Sequence, residues 1–141
     1  MKDVIIKIKG TQIYDKNKDF TEFTTQGKFD ADDRCIKLYY EENEMIGAKG
    51  IKTELSLFDK RKMELIRKGE MAGMLTVEKG IRHSCLYNTP YGDFTVGVYG
   101  EEVEASVNDE GGKIYLSYTL DVNSGMLSRN IMEIEIKNLN S

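Results

Sequence analysis

The chain has 141 residues, with 20 Lys and Arg against 24 Asp and Glu, 13 Gly, one Pro, two Cys and no Trp. That length suits one domain, and a hydrophobic share of 40% excludes a disordered tail or a collagen-like repeat. The net charge of −4 argues against nucleic-acid binding, which needs a basic surface.

Thirteen Ile, seven Val, nine Thr and thirteen Phe plus Tyr stand against four Ala, a bias toward strands. Lysines interrupt the apolar residues of Met1 to Lys9 too early for the core of an export signal. Nor does any apolar run reach the roughly 20 residues that span a bilayer. Cys35 and Cys85 suit neither a disulfide framework nor a paired zinc site. The expectation is a soluble cytoplasmic protein with free thiols.

In chain order, the first strand carries Val4, Ile6 and Ile8 on one parity and Ile13 on the other, which predicts a bulge at the intervening Gly10. Weaker alternation covers 20–29. Asp30, Asp32 and Asp33, with Glu41 at the twelfth place, superficially match an EF-hand, but Arg34 and Cys35 occupy the places of a ligand and the required Gly. The stretch reads as an acidic hairpin turn. Next come Ile36/Leu38/Tyr40 and Ile51/Thr53/Leu55/Leu57. Asp59 to Gly69 reads as a hairpin and a strand through Met63, Leu65 and Arg67; a helix there would set Lys60, Arg61 and Lys62 at its positive N-terminus. Weaker strands at 71–79 and 82–88 lead to Phe94/Val96/Val98, a connection at Gly100-Glu101, then Val103/Ala105/Val107. Ile114/Leu116/Tyr118/Leu120 and Met132/Ile134/Ile136 complete about eleven segments.

Connections this short cannot carry parallel crossovers, so neighbours are antiparallel. The fold class expected is all-β: a single antiparallel up-and-down β-barrel spanning 1–141, which also removes exposed edges. Charge is uneven along it, since residues 49–82 carry nine Lys and Arg against five acids while 83–112 carry six acids and no Lys or Arg. These two regions could attract each other, but solvated strand edges and turns that discourage edge pairing are the plainer reading.

Tyr39-Tyr40-Glu41-Glu42 ending a strand, Gly50-Ile51-Lys52-Thr53 opening the next, Arg67-Lys68-Gly69, and the turn from Tyr87 to Gly92 before an amphipathic strand resemble, in order and spacing, the YwiB-like bacterial family. Asn88-Thr89-Pro90-Tyr91-Gly92 fits that family's turn, whereas the stretch around His83 has no counterpart. The resemblance implies a calycin-like barrel, akin to lipocalins and fatty-acid-binding proteins, and a Gram-positive bacterial origin. It implies no reaction and no ligand.

Chemistry-bearing residues are sparse. His83 and Cys85 share a strand face but start about 7 Å apart at about 3.3 Å per residue; without a second His a hydrolase triad would need a different base and a metal site would need carboxylates, so ordinary strand packing is the plainer reading. Glu41, Glu42 and Glu44 resemble a carboxylate group, but the adjacent Glu41 and Glu42 point to opposite faces, so paired acid/base work needs a partner from another strand. The set with most promise is Arg67 with Tyr40, Thr53 and Tyr118, all on apolar parities. An inward guanidinium must be paired, either with a carboxylate such as Glu42 or with an anionic head group whose tail lies against the apolar wall, unless it escapes to solvent at the barrel end.

The leading expectation is therefore a non-catalytic barrel that takes a small amphipathic or anionic ligand, with no metal, cofactor, nucleic-acid or membrane partner. A structural or protein-interaction module with a side-chain-filled barrel is the first rival, and an enzyme of unknown reaction the second.

Overall fold

The computed structural model describes residues 1–32, 34–42, 51–68, 73–89, 92–122 and 125–139, excepting the side chains of 42, 51, 86–89, 92–94 and 125–127. Ten strands follow one another: β1 (Lys2–Tyr14), β2 (Asn17–Ala31), β3 (Cys35–Glu42), β4 (Ile51–Phe58), β5 (Lys62–Lys68), β6 (Gly73–Glu78), β7 (Arg82–Thr89), β8 (Gly92–Asn108), β9 (Gly111–Val122) and β10 (Gly125–Asn138). Each pairs antiparallel with its chain neighbours, and β1 also pairs with β10. The product is a closed up-and-down barrel, as the alternation and the short connections predict.

Inward residues are the apolar members of each alternation. Ile6, Leu38, Leu55, Leu57, Met63, Ile114, Leu116 and Ile134 are almost fully shielded, each contributing about 1.5–3 kcal/mol of burial. Outward positions between them carry Lys7, Lys9, Lys113, Glu133 and Glu135, which line a groove on the outer face of β1, β10 and β9. A barrel spanning a bilayer would present an apolar band there. Among the described residues no helix is long and apolar enough to cross a membrane.

Two sequence expectations about parity are corrected. The residues expected as two strands, Phe94 to Val98 and Val103 to Val107, form one long β8, and Gly100-Glu101 is a bulge within it rather than a hairpin turn. Gly100 faces Tyr118, and Glu102 faces the next residue, Ser117, so Glu101 is the extra residue. That insertion lets Val98 and Val103, on opposite parities, both face the core. Conversely, β1 has no bulge at Gly10: its register with β2 and β10 runs unbroken past that residue. Ile13 simply lies on the other face of the hairpin, beyond the packed core, where facing is less strictly enforced.

Successive strands alternate in direction, which gives the barrel two unlike ends. At the base the connections are tight. Asp59 and Lys60 both take the left-handed conformation in the three-residue turn that leads into β5, so Asp59 to Lys68 is hairpin and strand. Gly111 and Gly112 have φ of 124° and 146°, and a Cβ on Gly112 would run into the Ser106 carbonyl. The Asp32 carboxylate accepts the backbone N–H groups of Arg34 and Cys35, each at 2.8 Å, and these bonds hold its carboxyl below the usual range. Asp30, on β2, faces Lys37; Asp33 lies outside the described residues. The acidic stretch is a capped turn. At the opposite end, the mouth, β3, β5, β7 and β9 finish and β4, β6, β8 and β10 begin.

Candidate functional site

Near the mouth the cross-strand register assembles a polar row on the inner wall. Tyr40 on β3 faces Thr53 on β4, Thr53 faces Arg67 on β5, and Arg67 faces Gly73 on β6. Gly73 presents no side chain opposite Arg67. Below this row the same strands supply Leu38, Leu55, Leu65 and Leu75, all buried. The polar row therefore lies one inward position from a layer of buried leucines.

Thr53 is 3% exposed, and its hydroxyl meets no hydrogen-bond partner among the described residues. Arg67 is half-buried and its Nε is fully shielded. Arg67, Tyr40 and Tyr118 are each engaged by polar or ring interactions. Tyr40 also packs against Phe23 of β2, with ring centroids 6.2 Å apart.

Of the residues expected at the site, Tyr40, Thr53 and Arg67 come together in adjacent register. Tyr118 is buried and inward-facing, but on the far wall, where β9 runs between Gly100 of β8 and Asn130 of β10. Glu42 ends β3, two residues beyond Tyr40, and its side chain lies outside the described residues. Glu44 lies outside them altogether.

His83 and Cys85 do not act as a pair. His83 Nε2 lies 2.9 Å from Glu78 Oε1, while Cys85 Sγ accepts the Thr76 N–H at 3.3 Å. Burial pushes the Cys85 thiol up, an effect that the Thr76 bonds partly oppose, so the thiol is a poor nucleophile at neutral pH. Both cysteines are free. Among the described residues no cluster of His, Cys, Asp or Glu forms a metal site.

Sequence reading missed two bidentate ion pairs on the outer wall. Arg82 on β7 reaches over Gly97 to Asp121 on β9, with bonds of 3.0 and 2.6 Å, and a Cβ on Gly97 would strike the guanidinium. Arg129 on β10 grips Glu101, the bulge residue, at 2.9 and 2.8 Å, and Ser117 donates to the same carboxylate at 3.2 Å. A glycine one strand away from an arginine was the available signal for the first. Across the expected charge asymmetry, Lys79 Nζ meets Glu102 at 3.4 Å.

This barrel and its register place the chain among known folds. The chain belongs to the family described as Domain of unknown function (DUF1934), which matches residues 6–134. Its structure is similar to the crystal structure of ywiB protein from Bacillus subtilis, with a TM-score of 0.82 and 19% sequence identity over 97% of this chain and 92% of that one. The likeness extends over the whole barrel and concerns the fold. Curated protein sequences contain no significant match.

Proposed function

We propose that the chain is a non-catalytic bacterial cytoplasmic barrel whose mouth takes a small anionic or amphipathic ligand. The observation that carries this reading is the row Tyr40, Thr53 and Arg67: a guanidinium and two hydroxyls above a leucine floor, with the Thr53 hydroxyl lacking a described partner. A planar guanidinium grips carboxylate or phosphate through paired N–H donors. The hydroxyls of Tyr40 and Thr53 add further donors, Tyr118 lies on the opposite wall, and a short ligand tail would have to pack against the leucines beneath the row.

The test is calorimetric titration of the purified protein with a medium-chain fatty acid and, separately, with inorganic phosphate, using wild type and Arg67→Met. Saturable binding that weakens about tenfold or more in the variant, with unchanged or improved stability, supports the site, since charged hydrogen bonds contribute about 1.5–3 kcal/mol. A loss of roughly 3–5 kcal/mol of folding stability, the cost of orphaning a buried carboxylate, together with no binding of either probe, assigns Arg67 a structural role. The barrel would then be a filled interaction module.

A further inference from the structure

β2 carries an edge that no described strand covers. It keeps register with β1 from Phe29 to Asn17 without a shift, yet pairs with β3 only from Gly27 to Ala31. Residues 17–24 thus form the outer strand of a hairpin above the mouth. Because the register with β1 is unbroken, backbone N–H and C=O groups alternate sides along all of β2. Asp32, the residue after β2, donates its N–H to the Cys35 carbonyl on the β3 side. Even-numbered residues therefore direct their backbone polar groups to that side, and at Lys18, Phe20 and Glu22 those groups point to the open edge.

The side chains of these three residues share the outer face. Phe20 is 71% exposed, with Lys18 Nζ 5.8 Å from its ring centre. An open ladder edge carrying an exposed aromatic ring is a template for strand pairing. The pattern Lys18-x-Phe20-x-Glu22 is self-complementary when read in the reverse direction.

We propose that this edge pairs antiparallel with the same edge of a second copy of the chain, about a two-fold axis at Phe20. Phe20 then faces Phe20 of the second copy, and Lys18 faces Glu22 in both directions. Each facing pair exchanges both of its backbone hydrogen bonds, and opposite-charge and aromatic cross-strand pairs are favourable. Neighbouring registers lose this match: an axis at Asp19 sets Asp19 against itself, and one at Thr21 sets Phe20 against Glu22. Glu22 Oε1 already meets Lys7 at 3.2 Å, which leaves Oε2 for Lys18 of the second copy. The interface is isologous, so it closes as a dimer instead of propagating.

Sedimentation velocity over a concentration series tests this with Lys18→Glu and Glu22→Lys, both exposed positions whose fold is checked by far-UV circular dichroism. The expected result is a reversible wild-type dimer, weakened about tenfold or more by either reversal. Mixing the two single variants should restore dimers, because the first variant is acidic at both positions and the second basic at both, so each facing pair again joins opposite charges. A second route is Phe20→Ala, which should also weaken the dimer. A monomeric wild type at high micromolar concentration, a dimer indifferent to these reversals, or no recovery on mixing overturns the proposal.

Discussion

From β8 through β9 and β10 to β1, the wall is a run of long ladders, interrupted only by bulges at Gly100-Glu101 and between Met126 and Ser128. β6 and β7, by contrast, are in register at Gly73↔Tyr87 and then meet at the hairpin bridge Glu78↔Ile81. Between those points a side chain substitutes for backbone, since Cys85 Sγ takes the Thr76 N–H. The turn beyond is held from outside, with Lys79 N–H donating to Arg61 and Gly80 N–H to Gly100. A Cβ on Gly100 would strike the Glu78 carbonyl. A barrel can thus be closed by ladder along most of its circumference and by local improvisation at one seam. The seam is the place to expect low-energy opening.

The largest expected effect lies in the long wall. Leu116→Ala empties a fully buried position and should cost about 2–5 kcal/mol, read as a lower urea midpoint with an unchanged slope. A loss below about 1 kcal/mol would show that this wall is not packed as tightly as its burial implies. A smaller and more local effect is expected at the seam. Cys85→Ala removes the acceptor of the Thr76 N–H and should cost about 1–3 kcal/mol, while amide exchange accelerates along β6 and stays slow along β9. Equal acceleration in both would erase the distinction between them.

The smallest effect concerns the clamp that ties the seam's outer strand to the wall. The Arg82 guanidinium holds the Asp121 carboxyl below its usual range. A carboxyl depressed in the folded state contributes stability above its unfolded pKa and loses it as pH falls through the folded value. Asp121→Asn should therefore lower the urea midpoint slightly near neutral pH, and the gap should close in acid. The pair is partly exposed, which keeps the effect small. A gap that persists at low pH would mean that the lost contact is packing rather than charge.

Period-two alternation made nearly every strand legible, because a half-buried strand must segregate its apolar residues. Breaks in that alternation were harder to read. At Gly100-Glu101 the parity of the valines reverses beside a glycine, and both a hairpin turn and a bulge produce that pattern; the choice depends on whether the ladder to β9 continues. At Gly10 the same signs accompany no bulge, because Ile13 lies past the core. The site shows the same limit. Inward parity could be assigned to Tyr40, Thr53, Arg67 and Tyr118 one strand at a time. Their grouping depends on register, which joined the first three and left Tyr118 across the barrel. The thiol at the seam had no sequence signature, since it replaces a backbone bond that alternation alone would supply.

Glu101 also bears on how this chain can change length. Elsewhere in β8, losing one residue would turn the rest of the strand inside out, placing valines in water and glutamates in the core. At the bulge the arithmetic reverses, because deleting Glu101 sets Gly100 and Glu102 against Tyr118 and Ser117 in continuous register. The core would keep its facing, and the losses would be the Arg129 clamp and the local twist. Within β8, an indel is compatible with the fold at this joint, which also marks where two shorter alternating segments are spliced into one.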